Sequence, residues 1–67
     1  MAWDRAEGNW KQFTGKVKEE WGDLTDDEIT EANGNREKLE GRIQERYGIE
    51  KAEARRQTDA WLGRQNF

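Results

Sequence analysis

The chain contains no cysteine, no histidine and no proline. Without cysteine there is no disulfide staple and no thiolate metal site. Without histidine there is no imidazole ligand and no side chain whose unperturbed pKa would make it a general base near neutrality. Without proline one common turn device is missing, so turns must rest on glycine, asparagine and aspartate. Aliphatic side chains are scarce as well. Leu, Ile, Val and Phe together number nine of 67 residues, a share found in chains that stay disordered.

Two features act against disorder. The net charge is only −3, and four tryptophans supply large apolar surfaces at low entropy cost. A single thin-cored domain spanning residues 1–67 is expected. The opening "MAWDRAEGNW" has no apolar leader core, and no segment approaches the roughly 20 apolar residues of a membrane span. A soluble, intracellular chain with no membrane partner is the expectation. Residues 1–33 carry 9 acidic and 4 basic side chains, and residues 34–67 carry 6 and 8. That asymmetry can steer a charged partner, although an excess of two cations is a weak nucleic-acid signal.

The glycines are placed with a period. "GNWKQFTGKVKEEWG" (8–22) and "GNREKLEGRIQERYG" (34–48) each have glycine in first, middle and last place, and a shift of 26 residues superposes them. Gly8/Gly34, Asn9/Asn35, Gly15/Gly41, Glu19/Glu45 and Gly22/Gly48 are identical, and Phe13/Leu39, Val17/Ile43 and Trp21/Tyr47 are alike. Self-similarity of this kind marks one supersecondary unit used twice, with repeat units of about 3–33 and 34–63.

Inside each copy the period is helical. Trp3, Ala6, Trp10, Phe13, Val17, Trp21 and Leu24 step by three or four residues into one continuous stripe, and Leu39, Ile43 and Tyr47 repeat its second half. These stripes are expected to be core. Gly22 and Gly48 follow the last stripe residue, the place of a left-handed helix-ending glycine, and Gly34 sits in the turn cluster "ANGN". Gly8, Gly15 and Gly41 fall inside the helical pattern, where glycine costs roughly 1 kcal/mol relative to alanine. Gly15 and Gly41 lie opposite the stripe, so they clear the outer face for a neighbouring helix of the same chain, the preferred reading, or for a partner, or else the helix bends there. "LTDDEI" reads as a capping box of Thr25 and Glu28 with a Leu24–Ile29 staple, opening a helix to about Ala32. A last helix runs from about Glu50 to a stop at Gly63, burying some of Ala52, Ala54, Thr58, Trp61 and Leu62. The predicted fold is all-α: a small four-helix domain of two crossed αα-hairpins related by the repeat.

Chemistry is sparse. The carboxylates Asp23, Asp26, Asp27, Glu28 and Glu31 lack the order of a calcium loop, and capping explains them. Lys38, Arg42 and Arg46 form a basic stripe. With Gly15 and Gly41 they are the candidate partner surface. "YGIEKAEA" resembles the hairpin of helix-hairpin-helix DNA binders, but Glu50 stands where the second glycine belongs and would repel phosphate. Thr14, Thr25, Thr30, Thr58 and Tyr47 have no histidine to activate them, so no catalytic, metal or cofactor site is assigned.

Gly8-Asn9-Trp10-Lys11, Gly15-Lys16-Val17-Lys18, Trp21-Gly22-Asp23-Leu24-Thr25-Asp26-Asp27 and Ile43-Gln44-Glu45-Arg46-Tyr47-Gly48 together resemble the CsbD-like family of small bacterial stress proteins. The resemblance covers nearly the whole length. It implies two crossed helical hairpins made in bacterial cytoplasm under general stress, and it supplies no substrate or site residue. The sequence departs at Glu40, where relatives often carry an aliphatic residue, which bears on the burial of that helix face. A non-enzymatic protein acting on an unknown protein partner is the leading expectation, ahead of a hydrophilin-like protectant, which the mean hydropathy of −1.41 would suit, and of a nucleic-acid binder. Oligomeric state is left open by the sequence.

Overall fold

The computed structural model describes residues 3–65; residues 1, 2, 66 and 67 of the expected domain lie outside them. Among the described residues the fold is all-helical, with α1 Asp4–Gly8, α2 Trp10–Glu20, α3 Asp26–Ala32, α4 Arg36–Tyr47 and α5 Lys51–Arg64. Neighbours in sequence pack on one another: α1 on α2, α2 on α3, α3 on α4 and α4 on α5.

The expected first helix is two helices. Asn9 leaves the helical region (φ −120°, ψ 31°) and separates α1 from α2. Gly8 therefore ends α1 instead of lying inside a continuous rod, a correction with a physical cause: Gly-Asn is a weak pair for helix continuation, and Asn9 Nδ2 donates to the Arg5 carbonyl that the break exposes (3.1 Å). The stripe is unaffected by the break. Ala6, Trp10, Phe13, Val17, Trp21 and Leu24 are all buried.

The core is built around Trp61. Its ring meets Trp21 at a centroid distance of 5.6 Å, Phe13 at 5.9 Å edge-on, and Trp3 at 6.2 Å. Trp3 packs in turn on Trp10 at 5.8 Å. Tilted and edge-on contacts at these distances suit the ring quadrupoles. The polar tips are provided for: Trp10 Nε1 donates to the Ile29 carbonyl (2.9 Å), Trp21 Nε1 to Gln57 Oε1 (3.0 Å), and Trp3 Nε1 to the Gly34 carbonyl.

The helix starts follow the sequence. The Thr25 hydroxyl accepts from the Glu28 N–H (3.1 Å), and Glu28 Oε1 accepts from the Thr25 N–H (3.0 Å), closing the capping box over a buried Leu24–Ile29 pair. Asn35 accepts from the Lys38 N–H (3.0 Å) at the start of α4. Gly48 ends α4 in the left-handed region (φ 62°), as expected of it. Gly22 does not: α2 closes at Trp21 (φ −121°), and Lys18 Nζ donates to the Leu24 carbonyl across the following loop. Gly63 does not end α5, which runs one residue further. Tyr47 leaves the core at 38% exposure, because its hydroxyl turns out to accept from the Asp23 N–H (3.1 Å).

Trp61→Ala removes the ring that three other aromatics touch. We expect a loss of about 3–5 kcal/mol, enough to unfold a domain this small at ambient temperature. Thermal denaturation followed by circular dichroism reads it, and a cooperative transition within a few degrees of wild type would refute this role for Trp61.

Candidate functional site

The glycines of the candidate surface can be placed first. A Cβ built on Gly15 or on Gly41 meets nothing within 4 Å. The preferred expectation, that these gaps let the two copies pack closely, is therefore incorrect: no helix packs into the space either glycine leaves. Each glycine instead lines an open groove beside α3. Gly41 shares one of about 300 Å³ with Glu31, Ala32, Lys38, Arg42 and Glu45. Gly15 shares a second of similar size with Thr14, Lys18, Asp26, Ile29 and Thr30.

The structure brings Lys38, Gly41 and Arg42 into one groove and leaves Gly15 in the other. Arg42 spans the α3–α4 seam, donating to Glu31 (3.1 Å) and Glu45 (3.4 Å). Arg46 Nε donates to both Glu28 oxygens, at 3.0 and 3.2 Å. Thr25 and Arg46 together hold the Glu28 carboxyl below the ordinary value. The basic stripe is thus tied to the carboxylates of α3. Lys38 is exposed at the groove edge.

Sequence reasoning missed a second cluster. Glu40 is only 3% exposed, although a carboxylate buried alone would be costly. Arg36 Nε donates to Glu40 Oε2 (2.7 Å), and the Thr58 hydroxyl donates to the same oxygen (2.9 Å). Arg36 Nη2 also donates to Thr58 Oγ1 (2.9 Å) and pairs with Asp59. The guanidinium carbon stands 5.9 Å from the Trp3 ring centroid, within cation–π range. One arginine thus joins α4, α5 and the start of α1. Arg36 holds the Asp59 carboxyl below its usual range. On the exposed side of α5, Arg56 and Gln57 pull Glu53 down to about 2. The spacing of Arg36 and Glu40 was visible as an i,i+4 pair. That Thr58 and Asp59 complete the cluster was not, since nothing along the chain sets how α5 lies on α4.

Among the described residues no group of three or more His, Cys, Asp or Glu is placed to hold a metal ion, and no helix is long and apolar enough to cross a membrane.

A family model described as CsbD-like matches residues 4–56. The chain is 55% identical over 64 residues to the UPF0337 protein YjbJ of Escherichia coli O6:H1, covering 96% of this chain and 93% of that protein. It is 59% identical over 58 residues to the UPF0337 protein ECA0631 of Pectobacterium atrosepticum, covering 87% and 84%. Against YjbJ of Salmonella typhimurium the identity is 53% over 64 residues, covering 96% and 91%. No solved structure matches the chain.

Two outcomes follow from the charge geometry. Arg36→Met strands the buried Glu40 carboxylate and is expected to cost about 2–4 kcal/mol, most of it recovered when Glu40→Leu is added; equal losses in the single and double variants, measured by urea denaturation, would contradict the pairing. The second concerns acid. Glu28, Glu53 and Asp59 all have folded pKa values below their ordinary ones. Their pairs therefore stabilise fully above the ordinary carboxylate values, and that contribution disappears as pH falls through the folded values. The melting temperature should stay level from pH 7 to about 5 and decline between the ordinary Glu value of 4.5 and about 2. A curve that rises on acidification would contradict it.

Proposed function

The chain belongs to the CsbD-like family, and on that premise we propose that it is a non-enzymatic protein of the bacterial general stress response, working in the cytoplasm by docking a protein partner along the grooves beside α3. The observation that carries this reading is the open space at Gly15 and Gly41. Each glycine weakens a helix interior by roughly 1 kcal/mol, and no contact within the fold requires it. A surface kept free of side chains is what a partner lying against α2, α3 and α4 needs. The stress role rests on the family likeness alone.

We also read the two halves as diverged copies of one helical pair packed crosswise. The 26-residue shift that superposes the sequences also relates the starts of α2 and α4, and both Val17 and Ile43 are fully buried. The copies diverge where Trp21 is buried and Tyr47 is exposed. The packed tryptophan core weighs against a weakly structured protectant. The pairing of Arg42 and Arg46 with α3 carboxylates weighs against a phosphate-binding stripe.

Gly15→Ala and Gly41→Ala separate the two demands on these positions. Each is expected to raise stability by about 0.5–1 kcal/mol, and the double variant to lower stress survival when it replaces the native gene. A variant that is more stable and protects as well as wild type would overturn the docking reading.

A further inference from the structure

The apolar stripe runs unbroken from Trp3 to Val17, yet the backbone breaks at Asn9. Asn9 serves both helices. Its N–H and its Nδ2 each donate to the Arg5 carbonyl (both 3.1 Å), closing α1. Its carbonyl accepts from Gln12 (2.8 Å) and Phe13 (3.2 Å), opening α2. The Gln12 bond is one residue short of the α-helical partner, so the break has the form of a hinge one residue long.

Beyond the hinge, α1 rests on a seat drawn mainly from distant sequence. Trp3 Nε1 donates to the Gly34 carbonyl, its ring packs against Trp61, and Arg36 stands over its face. Glu7 lies on Gly34 so closely that a Cβ there would stand 3.0 Å from Glu7 Cα. Gly34 is buried with φ 81°, a backbone only glycine adopts readily. The seat is thus shaped to α1's own backbone.

Helical geometry puts Trp3, Ala6 and Trp10 on one face of a continuous helix, because they step by three and four residues. Straightened, α1 and α2 form one rod from Asp4 to Glu20. Trp3 then projects about 10 Å beyond Trp10 along the axis, and its own seat is left empty. We propose that α1 is an exchangeable arm: the hinge at Asn9 straightens, and the arm of each chain occupies the Gly34–Arg36–Trp61 seat of a second copy, giving a reciprocal two-fold dimer. The occupant is a second copy because its arm repeats each of these contacts, with nothing new to be recognised. Exchange of identical elements is a low-cost route to such dimers, and short hinges invite it. This assembly does not require the docking role of Gly15 and Gly41.

Asn9 is the residue to change. Asn9→Ala removes the Nδ2 cap of the bent form and favours the straight helix, worth roughly tenfold per hinge and so roughly a hundredfold for the two hinges of a dimer. Asn9→Gly removes the same cap but weakens the rod relative to alanine. Sedimentation equilibrium and native mass spectrometry should find Asn9→Ala dimerising at roughly 100-fold lower concentration than wild type, and Asn9→Gly less readily than Asn9→Ala. Isotope-filtered spectra of mixed labelled and unlabelled Asn9→Ala chains should place the contact between the Trp3 indole and Gly34 between chains. An Asn9→Ala protein that stays monomeric up to millimolar concentration, or a dimer in which that contact stays within one chain, would overturn the exchange.

Discussion

Everything in this fold depends on a shortage of apolar material being met by one ring. With so few aliphatic side chains, the core places Trp61 where Trp3 of the α1 segment and Phe13 and Trp21 of the α2 segment converge on it. None of the helices exceeds 14 residues, and isolated helices of that length are marginal in water. Their stability is therefore borrowed from the shared aromatic contact. α3 has no ring of its own, and it is held by the Trp10 indole on the Ile29 carbonyl and by its capping box.

Ion pairs add links between the two halves on the surface of the core. The sequence divides into an acidic first half and a mildly basic second half, an arrangement that reads as a device for steering partners. In the folded chain much of it is used internally. Arg42 pairs with Glu31, Arg46 with Glu28 and Arg64 with Glu20, each linking the second half to the first. Exposed pairs of this kind contribute little each, with a median of about 0–1 kcal/mol. All three cross the same divide between the halves. The network at Arg36 differs in kind, because its carboxylate is buried and has no water to fall back on.

The legible parts of the sequence were those governed by neighbours along the chain. Helical periodicity found the stripe, and cap chemistry found the start of α3 and the left-handed Gly48. What failed depended on contacts across the fold. Tyr47 matches Trp21 in the repeat, but only Trp21 faces the core, and the hydroxyl of Tyr47 gives it a reason to sit outside. Glu40 looked out of place until Arg36, Thr58 and Asp59 were seen around it. The break at Asn9 was hidden because the residues on either side keep the same helical spacing.

Three kinds of glycine now stand apart. Gly34 is fixed by its conformation and by Glu7 pressing on it, so the monomer alone accounts for it. Gly48 is fixed by the end of α4. Gly15 and Gly41 answer to neither demand: their backbone is ordinary helix and their surroundings are open. Alanine would strengthen both helices without a clash, so the packing of the monomer does not account for glycine at either position. A fold selected for stability alone would have filled those positions first. They line different grooves, Gly41 with Glu31 and Ala32 and Gly15 with Asp26, Ile29 and Thr30, so the helix they share as a neighbour is α3.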